Sequence, residues 1–307
     1  MTEESAPRGP DVTVGRASPD PTRAARVVLR GIGQVMFQGH AGTGLLFLAG
    51  IAVGSPLMAV GALVGAIIGP AVAHLLKFDR GEIEDGIYGF NATLVGIALL
   101  FYLKPEPLTW GLIVVGSVVA TLLTYALRRF FRFPAYTTGF IVTTWLALLA
   151  AHAMAGTSVD VKPAPPSSTP EGFVEAVLDG AAEVMFGANA ATGLLFLVGI
   201  ALSNWRHAVI ALLGSIVGTA LAYYHHDPSG SISIGIYGYN AALAAMAVYL
   251  WRESLLLPIL GAIVSVPLTE FFPKSMGLPP LTAPFVVAAW VVLAVGALEI
   301  RFARRAT

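Results

Sequence analysis

Cysteine is absent from this 307-residue chain. That absence removes disulfides, thiolate nucleophiles and Cys-ligated metals together. Charge is scarce too: Asp, Glu, Lys and Arg make up 12%, where a soluble domain carries about 25%. Acidic and basic residues balance at 18 each, with no long basic run and no zinc-finger spacing. Nucleic acid is therefore not an expected partner. The six histidines form no HxxxH spacing, and no GxSxG elbow, P-loop or dinucleotide-binding fingerprint occurs. Neither an enzyme nor a cofactor or metal is expected on these grounds. His225, His226 and Asp227 stand together in the sequence but read as a solvated turn rather than a catalytic set. The first thirty residues are polar and Pro-bearing, so no cleavable signal peptide is expected.

What fills the chain instead is apolar: hydrophobic residues reach 56% and the mean hydropathy is +0.76. Apolar stretches run at roughly 33–54, 56–76, 86–103, 108–127 and 137–155, then again at roughly 180–202, 207–224, 232–250, 254–270 and 282–300. A helix needs about 20 apolar residues to cross a bilayer core. Several stretches reach that length, while 42–54 and 191–202 are short and Gly interrupts others. An all-α polytopic membrane protein is expected, with lipid as its surroundings. A loose tail with Pro7, Pro10, Pro19 and Pro21 precedes the stretches, and the polar run VDVKPAPPSSTPEG (159–172) divides them.

The two groups of stretches are copies. At an offset of 149, residues 35–52 match 184–201 at 13 of 18 positions, and GIYGFNATLVGIA (86–98) matches GIYGYNAALAAMA (235–247) at 8 of 13. A third block, FPAYTTGFIVTTW (133–145), resembles LPPLTAPFVVAAW (278–290) at an offset of 145. Five crossings per copy with a cytoplasmic N-terminus place 15 of the Lys and Arg residues inside and leave only Lys104, Lys162 and Lys274 outside. Discounting Arg8 and Arg16, which lie far from any span, the split is 13 to 3, in the sense of the positive-inside rule. An odd number of crossings also turns the second copy over, as in inverted-repeat transport proteins. The expected domains are a cytoplasmic tail 1–26, a first repeat 27–155, a periplasmic linker 156–178, a second repeat 179–302 and a cytoplasmic end 303–307.

Polar residues inside the apolar blocks are the candidate functional groups. Gln34 and Glu183 are equivalent. At membrane depth each needs a partner or water; in the headgroup zone each would bind backbone amides. Thr137 and Thr282 are equivalent at the other offset, and a Thr hydroxyl satisfies a nearby backbone group or faces a pathway. Asn91 and Asn240 follow Gly-bearing turns and suit bracing a broken segment. The runs 87–103 and 236–250 fit half-membrane helices with exposed ends, or complete spans. Phe37, Phe90, Phe186 and Tyr239 are aromatic at related positions, and Leu94 and Leu243 follow Phe90 and Tyr239 by four residues, on one helix face. They fit either ordinary packing or a narrow slot for a flat, small solute.

These blocks, QVMF…TGLLFLAGI with EVMF…TGLLFLVGI, GIYGFNATLVG with GIYGYNAALAA, and LPPLTAPF, resemble the urea transporters over about 27–302. The resemblance implies a bacterial urea channel of two inverted halves. It implies ten membrane-spanning elements with re-entrant pore helices, one pore per subunit, a homotrimer and passive flux in the inner cell membrane. Carried over by position, Gln34 and Glu183 resemble the polar residues at the filter mouths, with Val184 near the second. Phe37, Phe90, Leu94 and Leu243 resemble the slot walls, with Tyr239 where a Phe is usual. Thr137 and Thr282 resemble the central pair. The first copy carries Gly139 where the pattern has Pro, and His40 stands opposite Asn189. A coupled transporter, or a channel for a short amide, ammonia or water, is the alternative.

Overall fold

Helix starts follow capping chemistry written in the chain. Asn189 accepts a hydrogen bond from the Thr192 amide, and His40 at the equivalent position accepts one from Thr43 through Nδ1. Ser55 caps the helix that Pro56 opens, and Asn204 accepts from Arg206; these side chains satisfy amides the first turn leaves orphaned. The computed structural model describes residues 21–155, 170–272 and 277–306, apart from the side chains of 155, 170–171 and 299–306. Among them are α1 (Pro21–Gly33), α2 (Ala41–Gly54), α3 (Pro56–Leu75), α4 (Arg80–Glu84), α5 (Phe90–Tyr102), α6 (Pro107–Phe130) and α7 (Thr138–Ala155). The second copy supplies α8 (Pro170–Glu183), α9 (Ala190–Ser203), α10 (Trp205–Tyr224), α11 (Ser229–Ser233), α12 (Ile236–Trp251), α13 (Leu256–Glu270) and α14 (Ala283–Ala306). The tail as far as residue 20, the linker core 156–169 and Thr307 lie outside the described residues.

The fold is all-α. Among the described residues, α3, α6 and α10 are long and apolar enough to cross a membrane, and a fourth span results if one bent pair is counted as one. That pair divides the apolar stretch read at roughly 33–54, of which the piece 42–54 is short. Pro21–Met36 and Ala41–Gly54 are bent by 73°, with a 3₁₀ turn at Gln34–Met36 and Phe37 in the left-handed region at φ 61°. Composition alone does not place the break: the left-handed residue is Phe37, a conformation that costs about 1–3 kcal/mol, and Gly39 lies two residues beyond it. The second copy repeats the unusual backbone at the equivalent residue, with Phe186 at φ 60°.

Every other positive-φ residue that is not glycine also comes as a repeat-related pair among the described residues: Lys77 with His226, and Tyr136 with Leu281. Gly86 and Gly235 form a further pair at φ 79° and 77°. The duplication therefore extends to unusual backbone, which chance similarity of apolar helices would not reproduce.

Within each copy small residues bring helices into backbone contact. A Cβ added to Gly65 of α3 would stand 2.0 Å from the Ala92 carbonyl oxygen of α5. Its equivalent Gly214 of α10 would meet Ala241 O of α12 at 2.7 Å. Such contacts replace the hydrophobic drive that lipid does not supply between helices. Gly65→Ala is expected to destabilise the protein by about 1–3 kcal/mol through overpacking. Gly111→Ala, with nothing within 4 Å of the added carbon, is the control. Thermal unfolding in detergent should separate the two; equal melting temperatures would contradict this packing.

Contacts between copies are reciprocal. Thr43 Oγ1 donates to Gly199 O at 2.6 Å, and Thr192 Oγ1 to Gly50 O at 2.8 Å. The Phe47 and Phe196 rings meet at 4.9 Å. Trp145 Nε1 donates to Pro279 O and Trp290 Nε1 to Pro134 O, both at 2.9 Å. Exchange of i–j for j–i contacts is the mark of a two-fold relation. Residues that meet their own equivalents lie on its axis. Phe47 with Phe196 is one such pair, and Thr137 with Thr282 is another.

Candidate functional site

Thr137 and Thr282 each follow a residue in the left-handed region, Tyr136 at φ 45° and Leu281 at φ 48°. Those turns deliver both hydroxyls to the axis, where Thr137 Oγ1 and Thr282 Oγ1 lie 2.6 Å apart, both residues buried. One hydroxyl donates to the other. The pair thus keeps one O–H and several lone pairs for a third group.

Asn91 and Asn240 hold the frame around that pair. Asn91 Nδ2 donates to Thr124 Oγ1 at 2.7 Å, and its Oδ1 accepts from the Phe140 amide at 3.1 Å. Asn240 Nδ2 donates to Thr269 Oγ1 at 3.3 Å, and its Oδ1 accepts from Phe285 at 3.1 Å. Each Asn ties the start of its own helix, α5 or α12, to the two helices after it. Tyr239 is buried, and its hydroxyl donates to Leu281 O at 2.5 Å. The extra hydroxyl that distinguishes it from Phe90 is spent on the backbone beside Thr282.

The two equivalent polar positions differ in chemistry and in partners. Gln34 is half-buried and donates through Nε2 to Asp85 O at 2.9 Å. That bond fixes its amide orientation and uses Nε2, leaving the acceptor capacity of Oε1 to other partners. Glu183 is half-buried at the end of α8, and its Oε2 is shut off from solvent with no partner. One turn earlier Asp179 is buried, and its Oδ1 also lacks a partner. Orphaned buried carboxylate oxygens are costly and rare. The first copy has Arg30 and Gln34 in these places, with Arg30 donating to Glu84 O at 2.9 Å. Sequence reasoning missed Asp179; its position four residues before Glu183 on one helix was the available signal. Trp145 and Trp290, at matching ends of the third blocks, were likewise given no role.

The remaining wall candidates sit in the core. Leu94, Leu243 and Val184 are buried in it, while Phe37 and Phe90 are half-buried against it. Phe37 meets Tyr136 and Phe285 edge-on at 6.0 and 6.3 Å. Phe186 packs on Phe101 at 4.8 Å. The structure thus gathers Thr137, Thr282, Phe37 and Tyr239 about the axis-side turns through Tyr136, Leu281 and Phe285. A cavity of about 420 Å³ lies elsewhere, beside Asp227, Tyr237 and Glu270, and none of the pathway candidates or the two Asn residues lines it.

Taken together, the apolar helices, the duplicated frame and its sparse, paired polar groups define a multi-span helical membrane protein built from two like halves. Residues 25–297 match the family model described as urea transporter, and the chain belongs to that family. It is similar to urea transporter 1 of Ovis aries and of Capra hircus, in each case 28% identical over 294 residues, covering 87% of this chain and 75% of theirs. It is also similar to urea transporter 1 of Rattus norvegicus, 30% identical over 236 residues, covering 72% of this chain and 62% of that protein. Family membership makes the chain a transport protein of the membrane rather than an enzyme.

Proposed function

We propose that this chain is a passive urea channel, and that its filter is the duplicated centre described above. Family membership supports urea as the solute. The observation that carries the filter reading is the hydroxyl pair Thr137–Thr282 at 2.6 Å on the axis between copies. Gln34 and Glu183, equivalent by the duplication, would supply further acceptors along the same path. Urea is planar and neutral, with four N–H donors and one carbonyl. Flat apolar walls tolerate loss of the water above and below its plane, but its edges must stay paired, because a buried unpaired amide is expensive. Gln34 Oε1, the Glu183 carboxylate and the threonine hydroxyls supply acceptors along one edge. Phe37, Phe90, Leu94, Leu243, Val184 and Tyr239 supply the faces. Several similar sites in series allow stepping without a deep trap.

The wider architecture belongs to the same proposal: ten membrane-spanning elements in two inverted repeats, each with a re-entrant pore helix formed by α5 or α12. The homotrimer has one pore per subunit. It sits in the cell membrane, a bacterial inner membrane, with both termini cytoplasmic. Two features support the inversion: the reciprocal contacts between copies and the 13 to 3 split of Lys and Arg near the spans. Reporter fusions should report both termini on the cytoplasmic side; opposite sides would sink the five-plus-five arrangement. Fluxes of urea, acetamide and water, measured in one proteoliposome preparation, should rank urea first. A preference for acetamide or water would reassign the solute.

The unpartnered Glu183 Oε2 favours one rival. A buried carboxyl without a partner is the kind of group a coupled transporter uses to carry a proton. Counter-gradient uptake decides between the two.

A further inference from the structure

Three residues of the second copy break the internal symmetry together. His225, Asp227 and Glu270 correspond, at offsets of 149 and 145, to Leu76, Phe78 and Tyr125. In the first copy the Phe78 and Tyr125 rings stack at 3.9 Å and 11°, filling the space between the end of α3 and the end of α6. In the second copy both rings are carboxylates, the leucine is a histidine, and a cavity of about 420 Å³ opens beside Asp227 and Glu270. A merely solvated turn would need no coordinated exchange of three apolar partners for three metal-ligating ones on two distant segments.

The geometry fits an ion. One ligand atom from each of the three residues lies within 4.8 Å of the others. His225 Nδ1 stands 3.7 Å from Glu270 Oε2. Asp227 Oδ2 is closed off from solvent and has no hydrogen-bond partner, although the Tyr237 hydroxyl bonds the same carboxylate. Among the described residues no Lys or Arg pairs with Asp227 or Glu270, whereas Glu82 of the first copy is held by Arg128 at 2.5 Å. One imidazole and two carboxylates suit a borderline divalent ion bound at about 2.0–2.2 Å.

We propose that His225, Asp227 and Glu270 form a binding site for a divalent transition metal of the Zn²⁺ class, its fourth position open to the adjacent cavity. The ion would join the C-terminal end of α10, the turn after it and the C-terminal end of α13. Sequence spacing misses the set because the third ligand comes from a helix more than forty residues away. The proposal does not depend on the urea pathway, and it is read by binding alone.

The test uses purified, tag-free full chain in detergent, titrated with Zn²⁺ by calorimetry and with Co²⁺ by visible absorption. One ion per chain is expected, with a Co²⁺ band in the tetrahedral range. Asp227→Asn with Glu270→Gln should weaken binding by at least about tenfold. A second variant, Asp227→Phe with Glu270→Tyr, restores the ring pair of the first copy; it should keep the melting temperature and lose the ion. Absence of saturable Zn²⁺ binding by the folded wild-type chain would overturn the site. Equal affinity in a folded variant would overturn it too.

Discussion

Glu183→Ala is expected to lower urea permeability by about one to two orders of magnitude. Leaving a buried donor of the solute without its acceptor costs about 1–3 kcal/mol, and each 1.4 kcal/mol is a factor of ten in rate. Glu183 Oε2 has no partner of its own, so its acceptor capacity is available to a passing donor. Gln34→Ala removes a neutral acceptor and should cost less, about fivefold. It also frees Asp85 O from its 2.9 Å bond, so some of that loss is positional. Stopped-flow urea uptake per folded protein reads both effects. Glu183→Gln separates charge from acceptor count, retaining one oxygen in nearly the same shape. Normal flux through folded Glu183→Ala would remove the residue from the pathway.

The second large effect concerns size. Leu94→Ala, and independently Leu243→Ala, should raise the methylurea-to-urea permeability ratio by about tenfold, since one methylene is worth about 1–3 kcal/mol of discrimination. Both side chains are fully buried, so a stability loss of about 2–5 kcal/mol accompanies the truncation. The two consequences are independent. A lowered melting temperature with an unchanged ratio would assign both leucines to packing alone. A shifted ratio at either stability would keep them in the slot wall.

The sequence made the duplication, the helical class and the paired polar positions legible, because repeat offsets and apolar runs are local properties. Capping was written there as well: Asn189 and Ser55 precede their helices in the usual way. The break at Phe37 was not legible. Left-handed phenylalanine is held by tertiary packing, through Tyr136 and Phe285, and no local residue type announces it. Nor was the register between copies: Thr43 reaches Gly199, 156 residues away, a pairing set by the two-fold relation. Thr137 and Thr282 could be matched by offset, but bonding to one another follows only from their place on the axis. Asp179 escaped notice because its equivalent, Arg30, is an ordinary cation with partners, and the inversion of charge between copies gains meaning only when burial is known.

The most direct measurement is the steady level of labelled urea inside proteoliposomes, with and without an imposed proton gradient and membrane potential. Passive conduction predicts that internal urea rises quickly to the external concentration and stops there, whichever gradient is imposed. Uptake above the external concentration on a proton gradient, abolished by Glu183→Gln, would contradict the channel and make the protein a coupled transporter.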